Sequence, residues 1–394
     1  MIDSNQSLFE QVQHIFRELT GRETAVTIRA PGRVNLLGSH LDYNEGWVLP
    51  GAIEPSVWLA AAPTTDNRVT VHALNFGETA AFQLPHLELF ASSVGGNWIN
   101  YPMGVAWALQ KAGHPLVGMD VVLVSNLPIG AGVSSSAAVE MAFLLAWEAL
   151  SGFQLDDLSR AKIGRKTENE YVGVNSGVMD QFACVASRAN RLIFLNCRTM
   201  SHELLPMPSS IAVVLVDSGV RRQLAASNYN DRPAECREAT AVLQQYLPQI
   251  KTLRDVSLDD LELFGHHLPQ NLRRRAAHVV GECVRAQAGA TALRQGDVAT
   301  FGKLMRQSHI SSRDNYENST PELDFLAATA WATAGCYGAR FGGGGYGGFM
   351  QILAEETAVP DLIESINSAF VGEYGRIPTN IVTKLVDGAK NLGR

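Results

Sequence analysis

The spacing of apolar side chains changes character several times along the chain, and each change predicts an element. Over residues 8–19 the apolar positions fall at helical spacing and predict an opening helix. From about residue 25 to residue 72 the pattern becomes short β-type runs: TAVTIRA, WVLPGAI, SVWLAAA and VTVHAL. Turn residues such as Asn44-Glu45-Gly46 separate them. WINYPMGVAWALQKAG reads as a helix and MDVVLVSN as the strand after it. The stretch NLPIGAGVSSSAAVEMAFLLAWEAL predicts a strand, a loop of glycine and serine, then a helix. ANRLIFLNC and IAVVLVDSG are two more strands, apolar enough for a covered sheet. Beyond them the pattern is mostly helical, as over residues 231–247 and 273–290. RFGGGGYGGFMQILAEE then predicts a flexible loop leading into a strand.

This mixture predicts an α+β fold, and 394 residues are more than one ordinary core accommodates. Two lobes are expected, residues 1–205 and 206–394, with a cleft between them for a site. Hydrophobic residues at 46% and charged residues at 18% fit a packed globular enzyme. A net charge of −7 argues against a nucleic-acid partner. Five scattered cysteines without metal-type pairing fit reduced thiols in the cytoplasm. The first residues carry acids and no apolar run, which predicts neither a secretory signal nor an anchor. The longest apolar stretch, residues 137–150, is interrupted by Glu140 and Glu148 and predicts a buried helix rather than a membrane span.

Four segments concentrate chemistry. In the first, residues 128–138 (PIGAGVSSSAA), a strand delivers small residues into a helix start. Unpaired N–H groups and the helix dipole there attract an anion, and Gly130 and Gly132 let backbone approach phosphate. The same residues also describe a serine-capped helix beside a turn. In the second, residues 30–44, Arg33, His40, Asp42 and Asn44 crowd a strand ending in a turn. Arginine can stabilise a transferring phosphoryl group, and aspartate can accept two sugar hydroxyls; a polar turn with a salt bridge is the bland alternative. In the third, residues 173–182, Asp180 stands among apolar neighbours, where a carboxylate needs a partner or a task. A general base paired with Arg33 fits, as does a buried structural ion pair. Glu168, on a predicted helix just before, suits a magnesium ligand or a solvated face. In the fourth, residues 340–349, six glycines permit either a loop closing over a substrate or a plain flexible turn.

Taken in order, these segments resemble the superfamily of galacto-, homoserine, mevalonate and phosphomevalonate kinases, and within it the galactokinase family. GRVNLLGSHLDYN is similar to the family's N-terminal signature, PIGAGVSSSAA to the superfamily's phosphate loop, and GVMDQF to its catalytic aspartate motif. WINYPMGV, DSGVRRQLAASNYNDRPAECREA and SHISSRDNYENSTPELD are similar to galactokinase segments and more specific. The resemblance implies an N-terminal lobe with a left-handed β-α-β crossover and a ferredoxin-like C-terminal lobe. It implies an ATP- and magnesium-dependent transfer to the anomeric hydroxyl of a sugar by a monomer or weak dimer, with no nucleic-acid or membrane partner. Asp180 and Arg33 match the catalytic pair. Ser39, His40, Asp42, Asn175 and Tyr229 match sugar-binding positions. Pro128, Gly130, Ala131, Gly132, Ser134, Ser135, Ser136 and Ala137 match the ATP-binding loop. Ser135 or Ser136, with Glu168, would hold magnesium.

One position departs from the family pattern. Galactokinases carry glutamate where this chain has Ser39, and that glutamate accepts a hydrogen bond from the hydroxyl on the sugar's sixth carbon. Losing a charge-assisted bond costs about 1.5–3 kcal/mol for plain galactose. A carboxylate on that carbon would be repelled by glutamate and tolerated by serine. The galacturonate-kinase branch of the family similarly carries a small residue there, so D-galacturonate is the favoured sugar, with L-arabinose weaker. The glycine loop also departs, at Gly342 and Phe349. A non-catalytic sugar and ATP sensor is the competing class, disfavoured by the intact serines, Asp180 and Arg33.

Overall fold

The structure is a computed structural model and describes residues 4–87, 97–128, 132–174, 176–221 and 231–393. Its strands, in chain order, are β1 (Val26–Asn35), β2 (Trp47–Val48), β3 (Pro50–Pro63), β4 (Arg68–Ala73), β5 (Glu78–Gln83), β6 (Met119–Ser125) and β7 (Arg191–Asn196). They continue with β8 (His202–Pro206), β9 (Ile211–Asp217), β10 (Cys336–Phe341), β11 (Phe349–Glu355), β12 (Asn380–Thr383) and β13 (Lys390–Asn391). The helices are α1 (Ser4–Thr20), α2 (Asn100–Lys111), α3 (Ser135–Ser151), α4 (Asp157–Lys166), α5 (Met179–Ala186) and α6 (Asp231–Leu243). After them come α7 (Leu258–Phe264), α8 (Gln270–Arg294), α9 (Val298–Ser311), α10 (Pro321–Ala332) and α11 (Val359–Tyr374).

Six strands form the first sheet, in the order β13-β1-β3-β6-β4-β5. Side-chain alternation along β3 and β6 sorts its two faces. Trp58, Ala60, Val122 and Val124 pack against Val12 and Phe16 of α1. Val57, Leu59, Val121 and Leu123 belong to the main core, with α2 and α3. Strands β4 and β6 pair in parallel, which requires the crossover that α2 supplies. The runs WVLPGAI and SVWLAAA do not end separately. They make one strand, β3, after the two-residue β2, and Pro55 falls where the register with β1 shifts near Gly32. Proline is tolerated there because no ladder bond is required of it. Residues 126–128, predicted as strand, are not extended into one. The apolar run over residues 137–150 is the buried helix α3.

The second sheet runs β10-β11-β9-β12, all antiparallel. In chain order its elements are β9, α10, β10, β11, α11 and β12. This is a β-α-β-β-α-β unit with the first and third strands central, the ferredoxin-like arrangement. Leu323, Leu326 and Ala330 of α10 and Leu362, Ile366 and Phe370 of α11 cover one face. Helices α6 to α9 are inserted between β9 and α10, and α9 lies directly on β10, where any side chain at Gly302 would overlap the Tyr337 backbone. The sheets meet at their strand ends, where the Arg340 guanidinium donates to the Asn35 carbonyl at 2.6 Å. Strand β13 returns the chain to pair with β1. No helix is long and apolar enough to cross a membrane among the described residues.

Candidate active site

Strand β1 is buried along its whole length, so Arg33 near its end enters the protein rather than solvent. A buried guanidinium needs acceptors. Its Nε and Nη2 donate to the two oxygens of Asp180 at 2.9 Å each, a forked pair, and its Nη1 donates to the Gly132 carbonyl at 2.6 Å. Asp180 stands in the first turn of α5. The Ser134 hydroxyl donates to the same carboxylate at 2.5 Å. Ser134 has a left-handed backbone, φ 60°, and makes no capping bond to α3. The serine cap considered for this segment is therefore not formed. Its hydroxyl serves Asp180, which leaves the first N–H groups of α3 available to an anion.

Asp42 approaches the same place from the turn after β1. Its Oδ1 accepts from the Tyr43 N–H at 2.8 Å, and it lies so close to Gly177 that any side chain there would overlap its carboxylate. Burial pushes the Asp42 carboxyl up to about 6, and the Asp180 charge adds to the push. His40 is buried with its Nδ1 2.7 Å from the Tyr43 hydroxyl and its Nε2 2.8 Å from the Asn318 amide nitrogen. Desolvation first, then the neighbouring His278, hold His40 well below the ordinary histidine range, so the ring is neutral.

Ser39 is 2% exposed, and its hydroxyl has no hydrogen-bond partner among the described residues. Its N–H and that of Gly38 donate to Glu282 Oε1 of α8, at 3.0 and 2.9 Å. That oxygen also accepts from Ser308 at 2.7 Å, while Oε2 pairs with Arg285 at 2.7 Å. Burial opposes ionisation of Glu282, but Arg285, His278 and Arg340 outweigh it and hold the carboxyl well below the usual range. The turn that presents Ser39, His40 and Asp42 is thus tied to a helix residue 243 positions beyond Ser39 in sequence.

Glu168 lies in a widened π-helical turn, Thr167–Val172, that extends α4. Such turns re-aim a side chain off the regular helix face. Glu168 is buried, which sets aside the solvated face considered for it. It accepts from Ser136 at 2.9 Å and from the Ser176 hydroxyl. Desolvation raises its pKa, as does Asp180 more weakly, so a cation beside it would be favoured. Among the described residues no group of three or more histidines, cysteines and carboxylates could hold a metal alone. One carboxylate and a hydroxyl, both hard oxygen donors, nevertheless fit magnesium, which takes most of its shell from phosphate and water.

Comparison with known proteins decides the family. The GHMP kinases N terminal domain matches residues 100–188, the galactokinase galactose-binding signature residues 14–63, and the GHMP kinases C terminal domain residues 290–372. A galactokinase of Roseiflexus sp. is 43% identical over 96% of this chain and 96% of its own. The chain belongs to the galactokinase family. A galactokinase of Streptococcus thermophilus is 37% identical, covering 97% of this chain and 99% of that protein. The crystal structure of Lactococcus lactis galactokinase complexed with galactose superposes with a TM-score of 0.91 at 31% identity, over 98% of this chain and 99% of that one. A mevalonate kinase at 17% identity and TM-score 0.64 shares the fold. Family membership makes the chain an ATP-using sugar kinase.

Against the sequence expectations, the structure of this galactokinase-family chain brings Arg33, Asp42, Gly132, Ser134 and Asp180 together and sets Ser136 against Glu168. Ser135 and Ala137 lie in the first turn of α3, and Pro128 is the last described residue before Gly132. Gly130, Ala131, Asn175 and Tyr229 lie outside the described residues. Sequence reasoning missed His278 and Glu282. Their only local signal is a histidine and a glutamate four apart, flanked at a spacing of three by Arg275 and Arg285 on the same helix.

Proposed function

We propose that this chain transfers the γ-phosphate of ATP to the anomeric hydroxyl of a galactose-type sugar, with D-galacturonate favoured over D-galactose. One observation carries the transfer: a carboxylate, Asp180, clamped by Arg33 and Ser134 beside a helix start with free N–H groups. Asp180 would take the proton of the anomeric hydroxyl as that oxygen bonds to the γ-phosphorus and the bond to the β–γ bridging oxygen breaks, leaving ADP. Arg33, fixed at three donors, would face the charge that develops, and little reorganisation remains to be done during transfer. Asp42, once ionised, would accept two sugar hydroxyls and hold the ring in line, with His40 alongside. Ser134 and the first turn of α3, Ser135 to Ala137, with Pro128 and Gly132 before them, would receive the phosphates. Ser136 and Glu168 would hold magnesium, which when bound would supply neutralisation of phosphate charge. Residues 1–205 and 206–394 would form the two lobes, and five cysteines free of disulfides suit the cytoplasm.

Ser39 supports galacturonate. No carboxylate projects from that position, and behind it the single negative charge of Glu282 faces Arg285 and Arg340. A sixth-carbon carboxylate would meet a surplus of positive charge. Turnover of ATP against galactose, galacturonate and arabinose, with wild type and Asp180→Asn, tests both parts. Galacturonate ahead of galactose is expected, with the variant slowed by about 10³-fold or more. Turnover of no sugar despite binding of sugar and ATP would instead favour the sensor.

A further inference from the structure

A cavity of about 190 Å³ opens between helix α6 and the turn that carries Asp42. Tyr43, Cys236, Arg237, Thr240, Gln244 and Lys251 are among the residues lining it. Cys236, Arg237 and Thr240 turn one stripe of α6 toward the space, and Gln244 continues it one residue past the helix. The lining holds two cations and no carboxylate. Of the acids beside lining residues in the chain, Glu45 and Asp255 are engaged by Arg198, and Glu235 by Arg232 and Arg275. Two positive groups, with the Gln244 amide that gives one N–H to the Ile250 carbonyl and keeps the other, suit a small doubly charged anion.

The inner wall connects to the active site through hydrogen bonds. The Cys236 thiol lies 3.2 Å from the Tyr316 hydroxyl, which lies 2.7 Å from the Tyr43 hydroxyl, itself 2.7 Å from His40 Nδ1. At the far end the Asn318 amide nitrogen bonds both His40 Nε2, at 2.8 Å, and the Gly344 carbonyl of the glycine loop, at 3.0 Å. His40 Nε2 also lies 3.2 Å from that carbonyl, so the contacts run without a break from the glycine loop through His40 to Cys236. The Tyr43 N–H also holds Asp42. An occupant that shifts Tyr43 or α6 therefore reaches the turn bearing Asp42 and the glycine loop without touching Asp180.

We propose that this cavity is a regulatory site for a small phosphate monoester, whose occupancy changes the affinity for sugar and leaves the transfer step alone. Binding can be read without turnover, so its failure is separable from failure of the sugar-kinase reading. The test titrates the full chain with glycerol 3-phosphate, with inorganic phosphate as a smaller comparator, by calorimetry and thermal unfolding. It is repeated on Arg237→Ala/Lys251→Ala and on Gln244→Glu, all at exposed positions. Binding by wild type that both variants lose, with a change of about fivefold in the sugar KM and kcat unmoved, is the expected result. Absence of binding, binding that survives in the double variant, or binding displaced by ATP would overturn the site. Variant-sensitive binding with an unmoved KM would overturn its regulatory role.

Discussion

Asp42 is the residue whose charge is most delicately placed. Its carboxyl is partly buried and shares the site with Asp180, so its protonated form persists to about pH 6. A raised folded-state pKa means that the stability this group allows is present in acid and lost as pH rises through 6. Asp42→Asn is therefore expected to gain on wild type between pH 5 and pH 8, by about 1–2 kcal/mol after solvent screening, in urea unfolding at the two pH values. Activity runs the other way. The ionised carboxylate is the form able to accept sugar hydroxyls, so kcat/KM should rise through pH 6 in wild type, and Asp42→Asn should lose that limb along with most sugar affinity. A limb that persists in the variant would move the titration to another group. Arg33 and Asp180 were legible as partners because each is a charge in an apolar run, and such charges find one another. Ser134 was not. Its left-handed backbone turns the hydroxyl away from the helix it precedes and onto Asp180, and no composition rule announces a serine at φ 60°.

At the scale of elements, α8 anchors the turn that carries Ser39, His40 and Asp42. Glu282 accepts the N–H groups of Gly38 and Ser39 and balances Arg285, all inside the protein. Glu282→Gln leaves those cations without their counter-charge, and should cost about 3–5 kcal/mol in urea unfolding while raising the sugar KM. Unchanged stability would mean that water replaces the carboxylate. The helices and strands themselves were largely readable from apolar spacing. What spacing did not reveal was continuity: β3 runs through Pro55 because the shift in register beside Gly32 spares it a ladder bond. Nor did it reveal the widened turn at Glu168, since a π-helical turn leaves the apolar pattern of α4 almost unchanged.

For the whole molecule, the site depends on two sheets meeting at their ends, and that junction was only partly legible. The predicted α+β mixture and the ferredoxin-like order are present, but the return of β13 to the first sheet and the direct seating of α9 on β10 follow from long-range pairing that local patterns do not encode. Gly302→Ala drives a methyl group into the Tyr337 backbone, so overpacking should lower stability by about 1–3 kcal/mol, visible as a fall in the thermal midpoint. The central claim concerns what the junction does. Phosphorus NMR of the products formed from ATP by wild type and Ser39→Glu, each with galacturonate and with galactose, tests it most directly. The account predicts a sugar phosphate coupled to the anomeric proton, formed faster from galacturonate by wild type and faster from galactose by Ser39→Glu. A phosphate on any other hydroxyl, or the same sugar preference in both proteins, would contradict it.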